Sequence, residues 1–293
     1  MIVKKHKPWL LYALTTTLFW GIWGALIETS AYRGTIIYII WSVSMIFPAI
    51  VALKTIGWKP ETDGKSILYG VIIGLLGAGG QLVLFAGAIA NGPAYLIFPI
   101  ISLSPVVTIL MSLIFLKEKA SAKGWIGITL ALLAIPLLSY QDPANHVTHG
   151  VLWLAFALLV FLAWGVQAFF MKFANGRMKA ESIFFYMTLT GLILSPVAWF
   201  MTKDTILQNF VFSWKEVGYT AVIQILNAIG ALTIVYAFRY GKAIIVSPLT
   251  NAVAPVITVV ISLILYKVMP STIIFFGMVL SVLSMFILAF EDS

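Results

Sequence analysis

The chain is written twice, and both copies are strongly apolar. Trp20-Gly21-Ile22-Trp23 recurs as Trp164-Gly165-Val166-Gln167, 144 residues further on. Pro105-Val106-Val107-Thr108 recurs as Pro255-Val256-Ile257-Thr258, 150 residues further on. Between these anchors Asn91-Gly92-Pro93-Ala94 is echoed by Tyr240-Gly241-Lys242-Ala243. Each copy, residues 1–141 and 149–291, holds five long apolar segments. Five is odd, so a second copy in a membrane runs opposite to the first. Paired repeats of opposite orientation are a common transporter plan, with the substrate path at the repeat interface.

Composition places these segments in a bilayer. Of 293 residues, 61% are hydrophobic and 10% charged, whereas a soluble domain carries about 25% charged residues. A spanning helix needs about 20 apolar residues. The expected spans are 9–27, 34–53, 67–90, 94–116, 125–140, 150–171, 181–201, 215–238, 243–265 and 271–290. The fifth is short and is expected to anchor through Trp125 and Tyr140 at the interfaces. The fold class is thus an all-α integral membrane protein, with ten transmembrane helices arranged as two inverted five-helix repeats. The first span exceeds the apolar core of a signal peptide, about 7–15 residues, and its removal would leave the sixth span without a partner. The longest loops, 54–66 and 202–214, are 13 residues each, so there is no room for a soluble domain between spans.

Basic residues set the orientation. With the N-terminus in the cytoplasm, 14 of the 18 Lys and Arg fall in cytoplasmic segments and 4 on the other side. The positive-inside rule then puts both termini in the cytoplasm. The net charge of +8 lies at the ends of apolar segments rather than along one face, which excludes a nucleic-acid partner. With no cysteine in the chain, disulfides and thiolate metal sites are excluded. His146 and His149 share one loop, but a closed metal site needs about four ligands, so no metal site and no cofactor are expected.

Intramembrane charges mark ion sites and proton relays, and here the spans lack them. Glu28, Arg33, Lys172, Glu181, Lys215, Glu216 and Arg239 all lie at or near span ends. A carboxylate for proton antiport is missing unless Glu28 or Glu181 faces a cavity. The polar groups at membrane depth are the amides Gln81, Gln167, Gln224, Asn227 and Asn251. Each needs partners away from lipid, so it either lines a cavity or bonds between helices. Gln167 stands out because it replaces Trp23 at the matching repeat position, and Asn251 because it lies between Pro248 and Pro255.

Prolines point to the same place. Pro99 and Pro105 interrupt span four, and Pro248 and Pro255 interrupt span nine at matching positions. Each removes a backbone donor and frees a carbonyl. Interrupted helices at corresponding places in two halves are the best sequence pointer to a substrate site; the plainer alternative is a packing kink. Tyr95, Phe98, Ser102, Ser247, Thr250 and Asn251 would then border a central cavity. Trp20, Trp23, Trp41 and Trp164 lie inside spans, where an indole face can hold a ring or a cation or simply pack. Trp20 and Trp164 sit beside a glycine in both copies, which allows close approach. The stripe Gly74, Gly77, Gly79 and Gly80 is a close-packing face. The phosphate-binding signature of an ATP-driven transporter is absent, so transport would be secondary or facilitated.

The pattern resembles the drug/metabolite transporter superfamily, specifically its EamA-type ten-helix members. The resemblance rests on Phe19-Trp20-Gly21, on Ser104-Pro105-Val106, and on Leu116-Lys117-Glu118-Lys119 followed by Gly124-Trp125-Ile126-Gly127. Glu118 matches a glutamate typical of the end of the fourth helix in that family. The second copy departs from this, with Leu265-Tyr266-Lys267-Val268 and no acid. The resemblance implies an inner-membrane transporter whose cavity is lined mainly by helices one, three, four, six, eight and nine. Implied substrates are amino acids, amines, nucleosides and other metabolites.

The expected function is alternating-access transport of a small neutral or zwitterionic metabolite, amino acid first and nucleoside-like compound second. The expected partners are that solute, the lipid bilayer and, if transport is coupled, a proton or ion. The same-class alternative is proton-coupled export of organic cations, quaternary amines or drugs. The remote alternatives are an intramembrane enzyme, disfavoured because no histidine or aspartate lies in a span, and a non-transporting membrane protein.

Overall fold

The computed structural model describes residues 7–91, 94–140, 152–202, 206–207, 210–267 and 270–291. The side chains of residues 94–96, 99 and 266 lie outside the described part, as do His146 and His149. Ten helical spans follow in chain order. They are α1 (Pro8–Leu26, closing in a 3-10 turn at Ile27–Thr29), α2 (Gly34–Thr55) and α3 (Gly64–Asn91). Next come α4 (Ala94–Ser102, then Pro105–Met111 with a π turn at Ser112–Leu116) and α5 (Ala122–Leu138). The second half holds α6 (Leu152–Ala174), α7 (Ala180–Phe200), α8 (Trp214–Tyr240), α9 (Ala243–Tyr266) and α10 (Thr272–Ala289). Eight of these are long and apolar enough to cross a bilayer; α5 and part of α4 form two shorter apolar helices.

Helix starts follow local chemistry. Pro8 opens α1, where its missing N–H costs nothing. Asp63, Ser121, Ser213 and Ser271 each accept a backbone N–H three residues on, capping α3, α5, α8 and α10. Asp63 and Ser213 are 150 residues apart, so matched helices begin on matched caps.

Two clusters fix the faces. Lys7 Nζ donates to the carbonyls of Ala289 and Glu291, and the Glu291 carboxylate accepts from Ser121 N–H (2.7 Å) and Oγ–H (2.6 Å). Burial pushes Glu291 up, but the Ser121 donors, with Lys242 and Lys7 nearby, outweigh it and hold the carboxyl below its ordinary range. The starts of α1 and α5 and the end of α10 therefore share one face, here termed the basic face, and the second half starts from the other. On the opposite face Thr29 bonds Tyr219, Ser30 bonds Thr220 and Thr35 bonds Thr202.

The halves are stitched by one interaction made twice. Thr258 Oγ1 donates to Gly21 O at 3.0 Å, and Thr108 Oγ1 donates to Gly165 O at 3.0 Å. The two sequence motifs are thus the two sides of one contact, each joining one half to the other: α9 to α1, and α4 to α6. Glycine is required at both crossings. A Cβ on Gly165 would lie 2.5 Å from Val107 Cβ, and one on Gly21 would overlap Ile257. Val107 and Ile257 are themselves matched positions.

The copies differ in two helices. The offset between halves is 150 at Gly80 and Gly230 but 149 at Gly92 and Gly241. α3, with 28 residues, is one longer than α8, with 27. Between those points α3 makes a π turn, Leu84–Ala88, which takes up one extra residue. The prolines also part company. α4 does break, between Ser102 and Pro105, with Pro105 opening the resumed helix. α9 stays a continuous helix through Pro248 and Pro255, and Pro99 lies within Ala94–Ser102. The expectation of matched breaks is therefore corrected: only Pro105 sits at one. In α9, Thr250 Oγ1 donates to the Val246 and Ser247 carbonyls in the turn that holds Pro248.

Gly165→Ala should destabilise the fold by about 1–3 kcal/mol through overpacking, seen as a lower melting temperature in detergent. Thr258→Val should cost less, about 0.6–1.7 kcal/mol, the range for a hydrogen bond between membrane helices.

Candidate functional site

The two halves enclose a cavity of about 470 Å³, within the about 300–1,000 Å³ typical of small-molecule sites. Of the residues expected from sequence, Trp20, Trp23, Gln81, Phe98, Ser102, Trp164, Gln167, Asn227, Ser247, Asn251 and Pro255 line it, as does Thr250. Pro99 and Tyr95 fall on described backbone, but their side chains lie outside the described part. Pro105 and Pro248 are not in the lining. The wall comes from α1, α3, α4, α6, α8 and α9, joined by Trp41 and Met45 of α2, Leu138 of α5 with Ser139 just after it, and Met187 of α7.

The tryptophans are fixed by a second interaction made twice. Trp20 Nε1 donates to Asn227 O at 3.2 Å and its ring lies on Gly230. Trp164 Nε1 donates to Gly77 O at 3.4 Å and its ring lies on Gly80. Asn227 and Gly77, like Gly230 and Gly80, are matched at 150 residues. Each indole spends its one donor on backbone, so what it offers the cavity is an aromatic face. Of the glycine stripe of α3, Gly77 and Gly80 seat Gln167 and Trp164 and Gly74 packs on Thr190 of α7, whereas Gly79 faces no described neighbour, which corrects the expected close-packing face at that position.

The halves diverge one turn further along. Trp23 Nε1 donates to Gln224 Oε1 at 3.2 Å. Gln224 is fully buried, lies outside the lining, and its Nε2 has no partner among the described residues. The expectation that Gln224 lines the cavity is thus corrected: it holds a wall residue from behind. In the second half Trp23 is replaced by Gln167 and Gln224 by Gly74. Gln167 lies against Gly77, where a Cβ would collide with its amide. Beside Trp20 the cavity therefore has a second indole, and beside Trp164 it has an amide.

The remaining polar groups are neutral. Asn251 Nδ2 is tied to Ser247 O at 2.9 Å, and its Oδ1 has no hydrogen-bond partner among the described residues. Ser139 Oγ donates to Ser102 Oγ at 3.1 Å, and Ser247 Oγ to Thr108 Oγ1 at 3.5 Å. Among the described residues, no Asp, Glu, Lys, Arg or His is part of the lining. Glu28 and Glu181 are not in it; Glu181 instead accepts from Tyr236 Oη at 2.6 Å. Sequence reasoning missed Met45, Met171, Met187 and Ser139 as wall residues. Apolar and hydroxyl side chains in a span carry no periodic signal that separates a cavity from a helix contact.

Two inverted five-helix halves around a central cavity have the architecture of an inverted-repeat membrane transporter. The chain belongs to the EamA-like transporter family, which matches residues 7–140 and 151–290. A curated relative, an uncharacterised protein of Methanocaldococcus jannaschii, is 37% identical over 81 residues, covering 28% of this chain and 58% of that protein's length. A solved crystal structure superposes with a TM-score of 0.78 over 95% of both chains at 18% identity, a likeness of fold alone.

Gln224→Met should leave thermal stability nearly unchanged. It loses the bond to Trp23, about 0.6–1.7 kcal/mol, but removes an unpaired buried donor that costs about 1–3 kcal/mol. A melting curve in detergent decides; a large loss would mean that Nε2 is satisfied by water.

Proposed function

We propose that this protein moves a small neutral or zwitterionic metabolite across the cell (inner) membrane by alternating access, with both termini in the cytoplasm. Amino acids are the first substrate class and nucleoside-like compounds the second. One observation carries the reading: a cavity of about 470 Å³ at the repeat interface, walled by tryptophan faces and side-chain amides and with no charged side chain among its described lining residues. A net charge placed there would find no countercharge, whereas a neutral solute or a zwitterion with self-compensating ends suits amide and hydroxyl partners. The flank bearing Trp20 and Trp23 suits a planar or apolar part. The flank bearing Gln81 and Gln167 suits groups that both donate and accept. Transport is secondary or facilitative, with no cofactor and no covalent chemistry, and repeats 1–141 and 149–291 act as the two moving halves.

The test is flux in proteoliposomes against a panel of radiolabelled amino acids, nucleosides and quaternary amines. A neutral or zwitterionic solute should accumulate or exchange. Gln167→Leu and Asn251→Leu should each lower its apparent affinity roughly tenfold or more, since each lost hydrogen bond leaves a solute group unpaired. Glu28→Gln and Glu181→Gln should leave flux intact. Movement of organic cations alone, dependent on a proton gradient and abolished by either glutamine variant, would overturn the reading in favour of cation antiport.

A further inference from the structure

Resting on the alternating-access reading, we propose that Glu118 and Lys172 form a latch that holds the basic face shut, and that it opens while the Thr–Gly crossings stay made. In inverted-repeat transporters the opposite state follows when the two halves exchange conformations. A contact present in both halves survives that exchange, and a contact present in one half alone does not.

Two sets of contacts bear on this rule. Thr258 to Gly21 and Thr108 to Gly165 are a matched pair, as are Trp20 to Asn227 and Trp164 to Gly77. They are the pivot. Glu118 Oε2 accepts from Ile244 N–H at 3.1 Å, in the first turn of α9. Lys172 Nζ donates to Gly241 O at 2.6 Å, a bond inside the second half that fixes the corner on which Glu118 closes. A carboxylate at a helix N-terminus is favourable, and Lys172 lines the same small pocket as Glu118. Neither has a counterpart across the repeat. The position matching Glu118 is Val268, and the one matching Lys172 is Glu28, an exposed residue.

Packing agrees with this sorting. The cavity ends at Met171, Phe238 and Ser247. Beyond that floor Glu118, Lys172, Asn175 and Arg239 line a separate pocket of about 300 Å³. Every residue from 243 to 250 is buried, and none from 255 to 263 is. α9 packs along the Pro105–Leu116 part of α4 and makes no comparable contact with Ala94–Ser102. The two central helices are closed at the latch and apart at the far end. Glu118 Oε1 is buried with no partner among the described residues, so the carboxylate is held at one oxygen only, which suits a contact that must release.

The experiment uses the absence of cysteine from the chain. Spin labels at Lys119→Cys and Tyr240→Cys report the separation of α4 from the α8–α9 corner in full-length protein in liposomes. The otherwise unaltered chain should give mainly a short distance. Glu118→Gln should raise the long-distance fraction roughly fivefold or more, and Lys172→Met should act in the same direction. Thr258→Val should lower the melting temperature without lengthening the distance. If Glu118→Gln does not fold, Lys172→Met carries the test. An unchanged distribution in the latch variants, or lengthening by Thr258→Val to the same extent, overturns the latch. Lengthening by panel solutes but not by the latch variants would overturn the latch and leave the transport reading standing. No lengthening by solute or variant, together with no flux, would overturn both.

Discussion

A threonine hydroxyl reaching a glycine carbonyl across the repeat boundary is the interaction on which the rest depends. It occurs once from α9 to α1 and once from α4 to α6. Lipid offers no hydrophobic reason for helices to associate, so close packing and a few interhelical hydrogen bonds must hold the halves together. Both are present at each crossing: a glycine with no space for a Cβ, and a hydroxyl donating to that same glycine's carbonyl. The tryptophan one residue before each glycine is then set at the cavity wall with its N–H already occupied. Scaffold and wall are neighbouring residues on one turn of helix.

Much of this was legible in the sequence, because the motifs that recur are the ones that touch. The Trp-Gly pair and the Pro-Val-x-Thr run were visible as repeats, and their apolar spacing with the basic-residue bias indicated ten inverted spans. What could not be read was that each motif's partner is the other motif from the opposite half. Linear repetition carries no information on pairing across an interface. Gln224 shows a second limit. At membrane depth an amide that lines a cavity and one that supports a cavity residue obey the same requirement for partners, and only the surrounding packing separates them. Pro248 and Pro255 show a third. A proline removes one donor in any helix, yet whether the helix breaks depends on what grips its two sides, and α9 is gripped tightly along its first half.

Symmetry and its loss have separate uses in this molecule. Contacts that repeat give the halves a common axis. Positions that differ give the cavity a chemical direction, with Trp23 and Gln224 on one flank and Gln167 and Gly74 on the other. The charges outside the cavity are equally one-sided: Glu118 and Lys172 gather at the start of α9, and the matching region of the other half carries neither.

The π turn at Leu84–Ala88 bears on how the opposite conformer can be built. Exchanging the coordinates of the two halves is the natural template for it, and within α3 and α8 an offset of 150 is the mapping from which it starts. Beyond Leu84 that mapping slips by one residue, and one residue of helix is about 100° of rotation. Every side chain of the outer third of α3 would then be threaded onto the wrong azimuth of α8. The single extra residue is a register mark, and any repeat-swapped template must step over it to bring the end of α3 round to the correct side.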